Sequence, residues 1–124
     1  DDRLGFHIVS AADAYQSSGR DIARQIIERV GCSPVYITFD IDCLDPAFAP
    51  GTGTPVPGGL STFQALNIIR ELKGINLVGM DIVEVAPAYD HAEITALAAA
   101  QIAAELLCLY AVNHSQRNRK TTDE

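Results

Sequence analysis

Three aspartates lie close together at the point where an apolar segment of the chain ends. Asp40 and Asp42 follow the apolar residues 35–39, and Asp45 comes three residues later, before a proline. In extended backbone, side chains two residues apart point to the same face, so Asp40 and Asp42 would lie close to each other. Two carboxylates at that separation repel unless a cation or a proton lies between them. The spacing therefore indicates a site for a divalent metal ion.

Turn chemistry offers a second interpretation of the same aspartates, because Asp is common where a strand gives way to a turn. Asp45 fits that role best and is expected to cap the loop through its own backbone. An EF-hand is excluded, because Leu44 and Asp45 stand at the fifth ligand and the obligatory glycine, and Gly51 stands at the twelfth position. A phosphatase of the haloacid dehalogenase type stays open as an enzyme alternative, although neither Lys73 nor Lys120 suits its mechanism.

A fourth carboxylate, Glu84, follows a second apolar segment, residues 76–83. In open α/β sheets, ligands bind at the carboxyl ends of the strands, so Glu84 is expected to face the same crevice as Asp40 and Asp42. A carboxylate that no metal needs can bind a guanidinium group through two parallel hydrogen bonds. A solvated glutamate on a loop is the alternative. Asp81 lies deeper in the segment and is expected to be structural.

The elements that would position these carboxylates alternate along the chain. Short apolar runs without polar alternation predict three strands, at residues 6–9, 35–39 and 76–83. Helical periodicity and capping signals predict three helices, at residues 20–30, from 61 to a stop at 74, and at 93–112. This order predicts an α/β fold, with a parallel sheet that has helices on both faces. Further strands from elsewhere are expected to cover its edges.

The segment between Asp45 and Gly59 has a different composition from the rest of the chain. Its four prolines and four glycines forbid regular structure and predict a long, shaped loop. The sequence predicts one unit over residues 1–112 and a polar, disordered tail over residues 113–124. Three unpaired cysteines, at positions 32, 43 and 108, are typical of reduced thiols in the cytoplasm.

Composition narrows the possible partners. Nine Lys and Arg against sixteen Asp and Glu give a net charge of −7, which argues against binding nucleic-acid phosphates. The longest low-charge run, residues 94–110, carries Gln101 and Glu105, so no membrane span is expected. The chain begins with Asp-Asp-Arg, which leads us to expect a part of a longer protein.

Three motifs, taken together and in order, resemble the carboxyl-terminal motifs of the arginase and agmatinase family of ureohydrolases. They are FDIDCLDP at residues 39–46, APGTGTP with GGL at residues 49–60, and VEVAP at residues 83–87. The resemblance runs from about Leu4 to the last helix and is closer to agmatinases than to arginases. It implies an arginase-like three-layer α/β/α fold, of which this chain is the carboxyl-terminal βαβαβα portion.

The resemblance also implies an activity. Such enzymes carry two Mn²⁺ ions bridged by a hydroxide that attacks a guanidino carbon, for agmatine giving putrescine and urea. On this mapping Asp40 bridges both metals, Asp42 binds one of them, Glu84 holds the substrate guanidinium and Thr54 lies near the substrate. The family's other metal ligands and its proton-shuttling histidine do not occur in this sequence, so no catalytic residue is assigned and the chain alone is expected to be inactive.

The resemblance leaves several alternatives open. Guanidinobutyrate, guanidinopropionate or related compounds could replace agmatine, and the chain could be a non-catalytic remnant that serves binding or assembly. Relatives are commonly oligomeric, so a cytoplasmic homo-oligomer is expected of the full-length protein, with a small guanidino compound as its substrate. The histidines, His7, His91 and His114, are expected to lie on the surface.

Overall fold

The computed structural model describes residues 2–120 of the chain, and the side chains of residues 3–115. Four helices and two strands follow one another over this range: α1 (Ala11–Gln16), α2 (Gly19–Val30), β1 (Pro34–Asp40), α3 (Thr62–Glu71), β2 (Asn76–Val83) and α4 (Ile94–Lys120). Three 3₁₀ turns complete the regular structure of the described residues, at Asp2–Leu4, Ile41–Cys43 and Pro87–Tyr89.

The two strands pair in parallel, and helix α3 makes the connection between them. The register starts at Pro34 opposite Asn76 and ends at Asp40 opposite Val83, with an irregularity between Val35 and Tyr36. Because the strands are parallel, both carboxyl ends lie at the same edge of the sheet. The predicted strands at residues 35–39 and 76–83 and the parallel α/β fold are therefore confirmed.

The hydrophobic core lies against one face of the sheet. Helices α2, α3 and α4 contribute to a single cluster, against which Val35, Ile37 and Phe39 of β1 pack. The alternate residues of β1, including Tyr36 and Thr38, are exposed. Among the described residues, the helices pack on one face of this two-stranded sheet.

Local capping signals explain where helices α2 and α3 begin. The Ser18 hydroxyl accepts a hydrogen bond from the Asp21 backbone N–H (3.1 Å), and α2 ends at Gly31, whose φ of 54° suits glycine. At α3, Ser61 and Gln64 each accept a hydrogen bond from the other's backbone N–H. These two predictions are confirmed, although α3 ends at Glu71, short of the predicted stop at Gly74.

The predicted strand at residues 6–9 is wrong. These residues form no regular structure, and Phe6 and Ile8 are 63% and 67% exposed. An apolar run becomes a strand only when a neighbouring strand completes its hydrogen bonds, and the described residues pair no strand with this segment. The short helix α1 follows, capped by Ser10, and the described portion has the order βαβα within its sheet.

The predicted tail boundary at residue 112 is also wrong. Helix α4 continues to Lys120, and residues 121–124 lie outside the described part of the chain. The buried positions Ile102, Leu106, Leu109 and Asn113 recur at three- and four-residue spacing, so the inner face of the helix extends past the predicted end. The Asn113 side chain accepts a hydrogen bond from the Gly74 N–H (2.8 Å), which joins the helix to the turn before β2.

The opposite side of α4 is apolar but exposed. We call Leu97, Leu107, Tyr110 and Val112 the outer face of α4; Leu97 is 66% and Leu107 61% exposed. Among the described residues, only α4 contains a stretch, Ile94–Ser115, that is long and apolar enough to cross a membrane. Length and composition alone support that statement, and the core helix of a globular protein passes the same test.

Candidate metal and substrate site

The carboxyl edge of the sheet brings the predicted site residues together. Asp40 is the last residue of β1, and its partner in the register is Val83, the last residue of β2. Glu84 follows Val83 directly, so its backbone leaves the sheet beside that of Asp40. The expectation that these carboxylates share one edge is confirmed, whereas their roles stay predictions.

Asp40 and Asp42 are not related by extended backbone. Ile41–Cys43 is a 3₁₀ turn, and Asp40 Oδ1 accepts a hydrogen bond from the Asp42 N–H (2.9 Å). Ile41 lies between them and is completely buried, which anchors the turn to the core. The turn interpretation is therefore correct for Asp40, and the tight turn, rather than strand alternation, keeps the two carboxylates close.

The Asp42 carboxyl lies against two threonine hydroxyls from the proline- and glycine-rich loop. Hydrogen bonding from Thr52 and then Thr54 lowers the pKa of Asp42, against the opposing effect of burial. Thr54 donates its hydroxyl to Asp42 Oδ2. The other carboxyl oxygen, Asp42 Oδ1, and the Thr52 hydroxyl are both buried without a hydrogen-bond partner of ordinary geometry among the described residues. The lowered pKa favours the carboxylate form of Asp42, and its Oδ1 lacks a hydrogen bond of ordinary geometry among the described residues.

Asp45 holds the loop in shape. Its carboxylate accepts hydrogen bonds from the N–H groups of Ala47 (2.8 Å) and Gly58 (2.7 Å), which lower its pKa. At Gly59 the loop passes so close to the turn that a Cβ would lie 2.6 Å from the Asp45 nitrogen. The prediction that Asp45 caps the loop is confirmed, and the caps at both ends explain how a segment without regular structure keeps one conformation.

A second anchor joins the middle of the loop to helix α4. Gly51 donates its N–H to the buried Thr95 hydroxyl (2.7 Å), and its carbonyl accepts the Ala86 N–H (2.8 Å). A Cβ on Gly51 would lie 2.6 Å from the Asp90 Cβ, so only glycine fits. Asp90 in turn accepts hydrogen bonds from the N–H groups of Thr95 and Ala96 (2.9 Å each) at the start of α4. The loop, the Glu84 segment and α4 therefore form one hydrogen-bonded unit.

Glu84 has an unusual backbone conformation. Its φ is 67°, in the left-handed region that residues other than glycine rarely adopt and that recurs at functional sites. The side chain is exposed, and within residues 3–115 its carboxylate makes no hydrogen bond or ion pair. The left-handed turn directs the chain away from β2 immediately after the strand ends. A carboxylate in this state is available to a cationic ligand.

Other potential ligands among the described residues are poorly placed. No group of three or more His, Cys, Asp or Glu residues capable of holding a metal occurs in that part of the chain. His7, His91 and His114 are exposed, as predicted. Cys43 is exposed by its accessible surface. Desolvation by the surrounding protein atoms, followed by the nearby Asp40 carboxylate, nevertheless raises the pKa of its thiol to about 11, so it is a poor thiolate donor. The residues present fit a divalent cation through oxygen atoms, with only part of the ligand set.

Sequence reasoning missed the contribution of Thr52 and Thr95. Thr52 had a usable signal, because it lies two residues before Thr54 in a segment too rich in proline and glycine to form a helix. Side chains two residues apart in such a segment can face the same group. Thr95 had none, because its contact with Gly51 joins positions 44 residues apart in the sequence.

Comparison with known proteins gives consistent results. The sequence profile of the arginase family matches residues 1–109. The chain is similar to the agmatinase of Chromobacterium violaceum, with 54% identity over 97% of this chain and 35% of the relative. It is also similar to the crystal structure of a hypothetical agmatinase from Burkholderia thailandensis, with 57% identity, a TM-score of 0.85, and coverage of 98% of this chain and 36% of that one.

A further solved structure, the proclavaminate amidino hydrolase of Streptomyces clavuligerus, is 46% identical with a TM-score of 0.86; the match covers 89% of this chain and 36% of that one. The chain thus spans about a third of the length of the relatives that it matches. Its sequence similarity and its fold point to the same group of proteins.

Proposed function

The chain belongs to the arginase family, and on that basis we propose that it supplies part of the active site of a manganese-dependent ureohydrolase. The preferred reaction is hydrolysis of agmatine to putrescine and urea. Identities of 54% and 57% to two proteins described as agmatinases support this substrate. Family membership leaves no support for the phosphatase alternative.

One observation carries the proposal: Asp42 Oδ1 is a buried carboxyl oxygen that makes no hydrogen bond of ordinary geometry with the described residues. It lies one turn from Asp40, at the sheet edge that also carries Glu84. Burying an unpaired carboxylate oxygen is costly unless a cation or a donor satisfies it. A divalent metal held by Asp40 and Asp42 meets that requirement, and oxygen ligands suit Mn²⁺.

The metal ions, when bound, supply a hydroxide at neutral pH by lowering the pKa of water. The remaining steps fall to the residues of the protein. Glu84 binds the guanidinium of the substrate, because a carboxylate matches the planar donor fork of that group. Thr54 acts on the same reaction through Asp42, to which it donates its hydroxyl. Asp40 and Asp42 would hold the metal and so fix the position at which the guanidino carbon is attacked.

The substrate beyond the guanidinium group depends on residues outside this segment. The match to a proclavaminate amidino hydrolase indicates that the same scaffold serves guanidino compounds of different shape. Agmatine should therefore be assayed beside guanidinobutyrate and guanidinopropionate. Preference for one of these acids would change the substrate and leave the proposed chemistry intact.

Two substitutions in the full-length enzyme test the proposal. Asp40→Asn should remove bound Mn²⁺, measured by elemental analysis, because the amide loses the ligand charge. Glu84→Gln should lower kcat/KM for agmatine about tenfold to a hundredfold while Mn²⁺ content stays at the wild-type level, as expected for a lost charge-assisted contact. A full metal complement in Asp40→Asn, or metal loss in Glu84→Gln, would contradict the assigned roles.

The 124-residue chain alone should release no urea from agmatine in the presence of Mn²⁺. Asp40 and Asp42 offer two carboxylates, whereas each ion of a stable two-metal site needs about five or six ligands. Colorimetric assay of urea, with and without the missing part of the protein added back, checks this expectation. Urea release by the chain alone would show that its ligand set is more complete than we propose.

A further inference from the structure

A buried threonine at the start of helix α4 holds the middle of the loop. Thr95 is completely buried, and its hydroxyl accepts the Gly51 N–H (2.7 Å). Its own N–H donates to Asp90 Oδ1 (2.9 Å), while Asp90 Oδ2 accepts the Ala96 N–H (2.9 Å). Thr95 is therefore held on two sides, at a depth where an unmade hydrogen bond is costly.

Gly51 joins two parts of the proposed site. Its carbonyl accepts the Ala86 N–H (2.8 Å), and Ala86 lies two residues after Glu84. Three residues further along the loop from Gly51, Thr54 donates its hydroxyl to Asp42. One short segment of the loop thus connects the carboxylate expected to bind the guanidinium with a carboxylate expected to bind the metal.

The position of Glu84 depends on its backbone. Its φ is 67°, and within residues 3–115 its exposed carboxylate makes no hydrogen bond or ion pair. The next residue, Val85, packs against the core. Ala86 then donates its N–H to Gly51, and its carbonyl accepts the Tyr89 N–H (2.9 Å). Glu84 is therefore placed by β2 on one side and by the anchored Ala86 on the other.

We propose that Thr95 is a positioning residue for Glu84, acting through the Gly51 peptide. Its hydroxyl holds the loop where the Glu84 segment bonds to it, and so sets the distance between the guanidinium-binding carboxylate and the metal ligands. This inference rests on the proposed function of Glu84. Misplacing a binding group by about 1 Å, through a change that touches no reacting atom, can lower the rate by about a hundredfold.

The test compares two variants of Thr95 in the full-length enzyme. Thr95→Val keeps the shape and removes the acceptor, whereas Thr95→Ser keeps the hydroxyl. We expect Thr95→Val to lower kcat/KM for agmatine about tenfold to a hundredfold, and Thr95→Ser to stay within about threefold of wild type. The Mn²⁺ dissociation constant, from the electron paramagnetic resonance signal of free Mn²⁺, should stay within about twofold of wild type in both. The reason is that the completely buried Ile41 anchors the turn of Asp42 separately.

A combined variant separates positioning from general damage. If Thr95 acts through Glu84, adding Thr95→Val to Glu84→Gln should lower kcat/KM by less than about threefold further, because the group that Thr95 positions is already lost. Independent damage would instead multiply the two losses.

Four results would overturn the inference: wild-type kcat/KM in Thr95→Val, equal losses in Thr95→Val and Thr95→Ser, weakened Mn²⁺ binding, or multiplied losses in the combined variant. If Thr95→Val does not fold, Asp90→Asn, which loosens the same anchor and keeps one acceptor oxygen, replaces it and is judged in the same way. Thr62→Val, in the first turn of α3, is the matched control and should behave as wild type. Unchanged kcat/KM in Glu84→Gln alone would refute the proposed function of Glu84, which is a separate result.

Discussion

The loop between Asp45 and Gly59 and the outer face of α4 differ in an instructive way. The loop has no regular structure, yet Asp45, Thr95 and Ala86 satisfy its backbone at several points. Helix α4 is fully regular, yet its outer face exposes large apolar side chains such as Leu107. Regular backbone and completed packing are therefore independent properties. The loop that shapes the site finds its hydrogen-bond partners within the described residues, whereas the apolar side chains on the outer face of α4 do not find packing partners there.

This difference follows from where each region finds its partners. The hydrogen-bond partners of the loop lie between positions 40 and 96, with the addition of Tyr15, whose hydroxyl donates to the Gly59 carbonyl (2.8 Å). The apolar side chains of the outer face of α4 are 39–66% exposed. An exposed apolar surface of this kind usually marks an interaction site. The relatives that the chain matches are about three times longer, so partners for that face would have to come from outside this segment. Four substitutions or conditions test the contrast.

The largest effect should come from the loop. Gly51→Ala should destabilise the chain by about 3 kcal/mol, because the new Cβ would meet the Asp90 Cβ at 2.6 Å and neither backbone has room to move. Urea denaturation followed by circular dichroism measures this loss. Gly53→Ala is the matched control, since no heavy atom lies within 4 Å of its added Cβ. Equal stability of the two variants would show that the loop adapts.

The inner face of α4 should give the next largest effect. Asn113→Ala should cost about 1–3 kcal/mol, because the Gly74 N–H would lose its acceptor and the side chain removed is 3% exposed. The same denaturation experiment measures it, with the exposed Ser115→Ala as control. If Asn113→Ala were as stable as the wild type, the packed part of α4 would end near residue 112, as the sequence predicts.

Acid should loosen the loop before it affects the outer face of α4. The N–H groups of Ala47 and Gly58 lower the pKa of Asp45, so this carboxylate stabilises the folded state above its ordinary pKa of 3.8. The contribution is lost as the pH falls below 3.8 and through the lowered pKa of the folded state. Urea midpoints compared near neutrality and below pH 3.8 should fall less for Asp45→Asn than for wild type. An identical fall in both proteins would exclude Asp45 as the titrating group.

The smallest effect should come from the outer face of α4. Leu107→Gln should change the stability of the 124-residue chain by less than about 0.5 kcal/mol, because the side chain is already 61% exposed. Leu106→Gln, at the neighbouring fully buried position, is the contrasting variant and should unfold the chain readily. A large loss of stability in Leu107→Gln would show that this face is already packed, for example against a second copy.

The sequence predicts those features whose physical cause is local. The capping box at Ser61, the glycine stop at Gly31 and the loop cap at Asp45 depend on neighbouring residues, and the structure confirms them. The predicted strand at residues 6–9 is wrong because a strand needs a neighbouring strand for its hydrogen bonds, and an apolar run does not specify that neighbour. The predicted end of α4 at residue 112 is wrong because Asn113, although polar, is buried where it accepts the hydrogen bond of Gly74, which lies 39 positions away.

The features of the candidate site also divide into those that the sequence predicts and those that it does not. Its acidic residues are predictable, because carboxylates after apolar strands in parallel order must meet at one edge. The closeness of Asp40 and Asp42 is predicted for the wrong reason, since a 3₁₀ turn replaces the extended backbone. The contact of Thr52 with Asp42 is not predicted, because it depends on how a long loop folds back over the turn.

The parallel pairing of β1 and β2 also sets an order of events during folding. Their partner residues, such as Pro34 and Asn76, are separated by about forty positions, so the pair can form only after a long stretch of chain has been closed into a loop. The hydrogen bonds within helices α2 and α3 join residues close in the sequence, so these helices can form faster. We therefore expect the edge that carries Asp40 and Glu84 to be assembled late. A nascent chain would therefore form its helices before this edge of the sheet is complete.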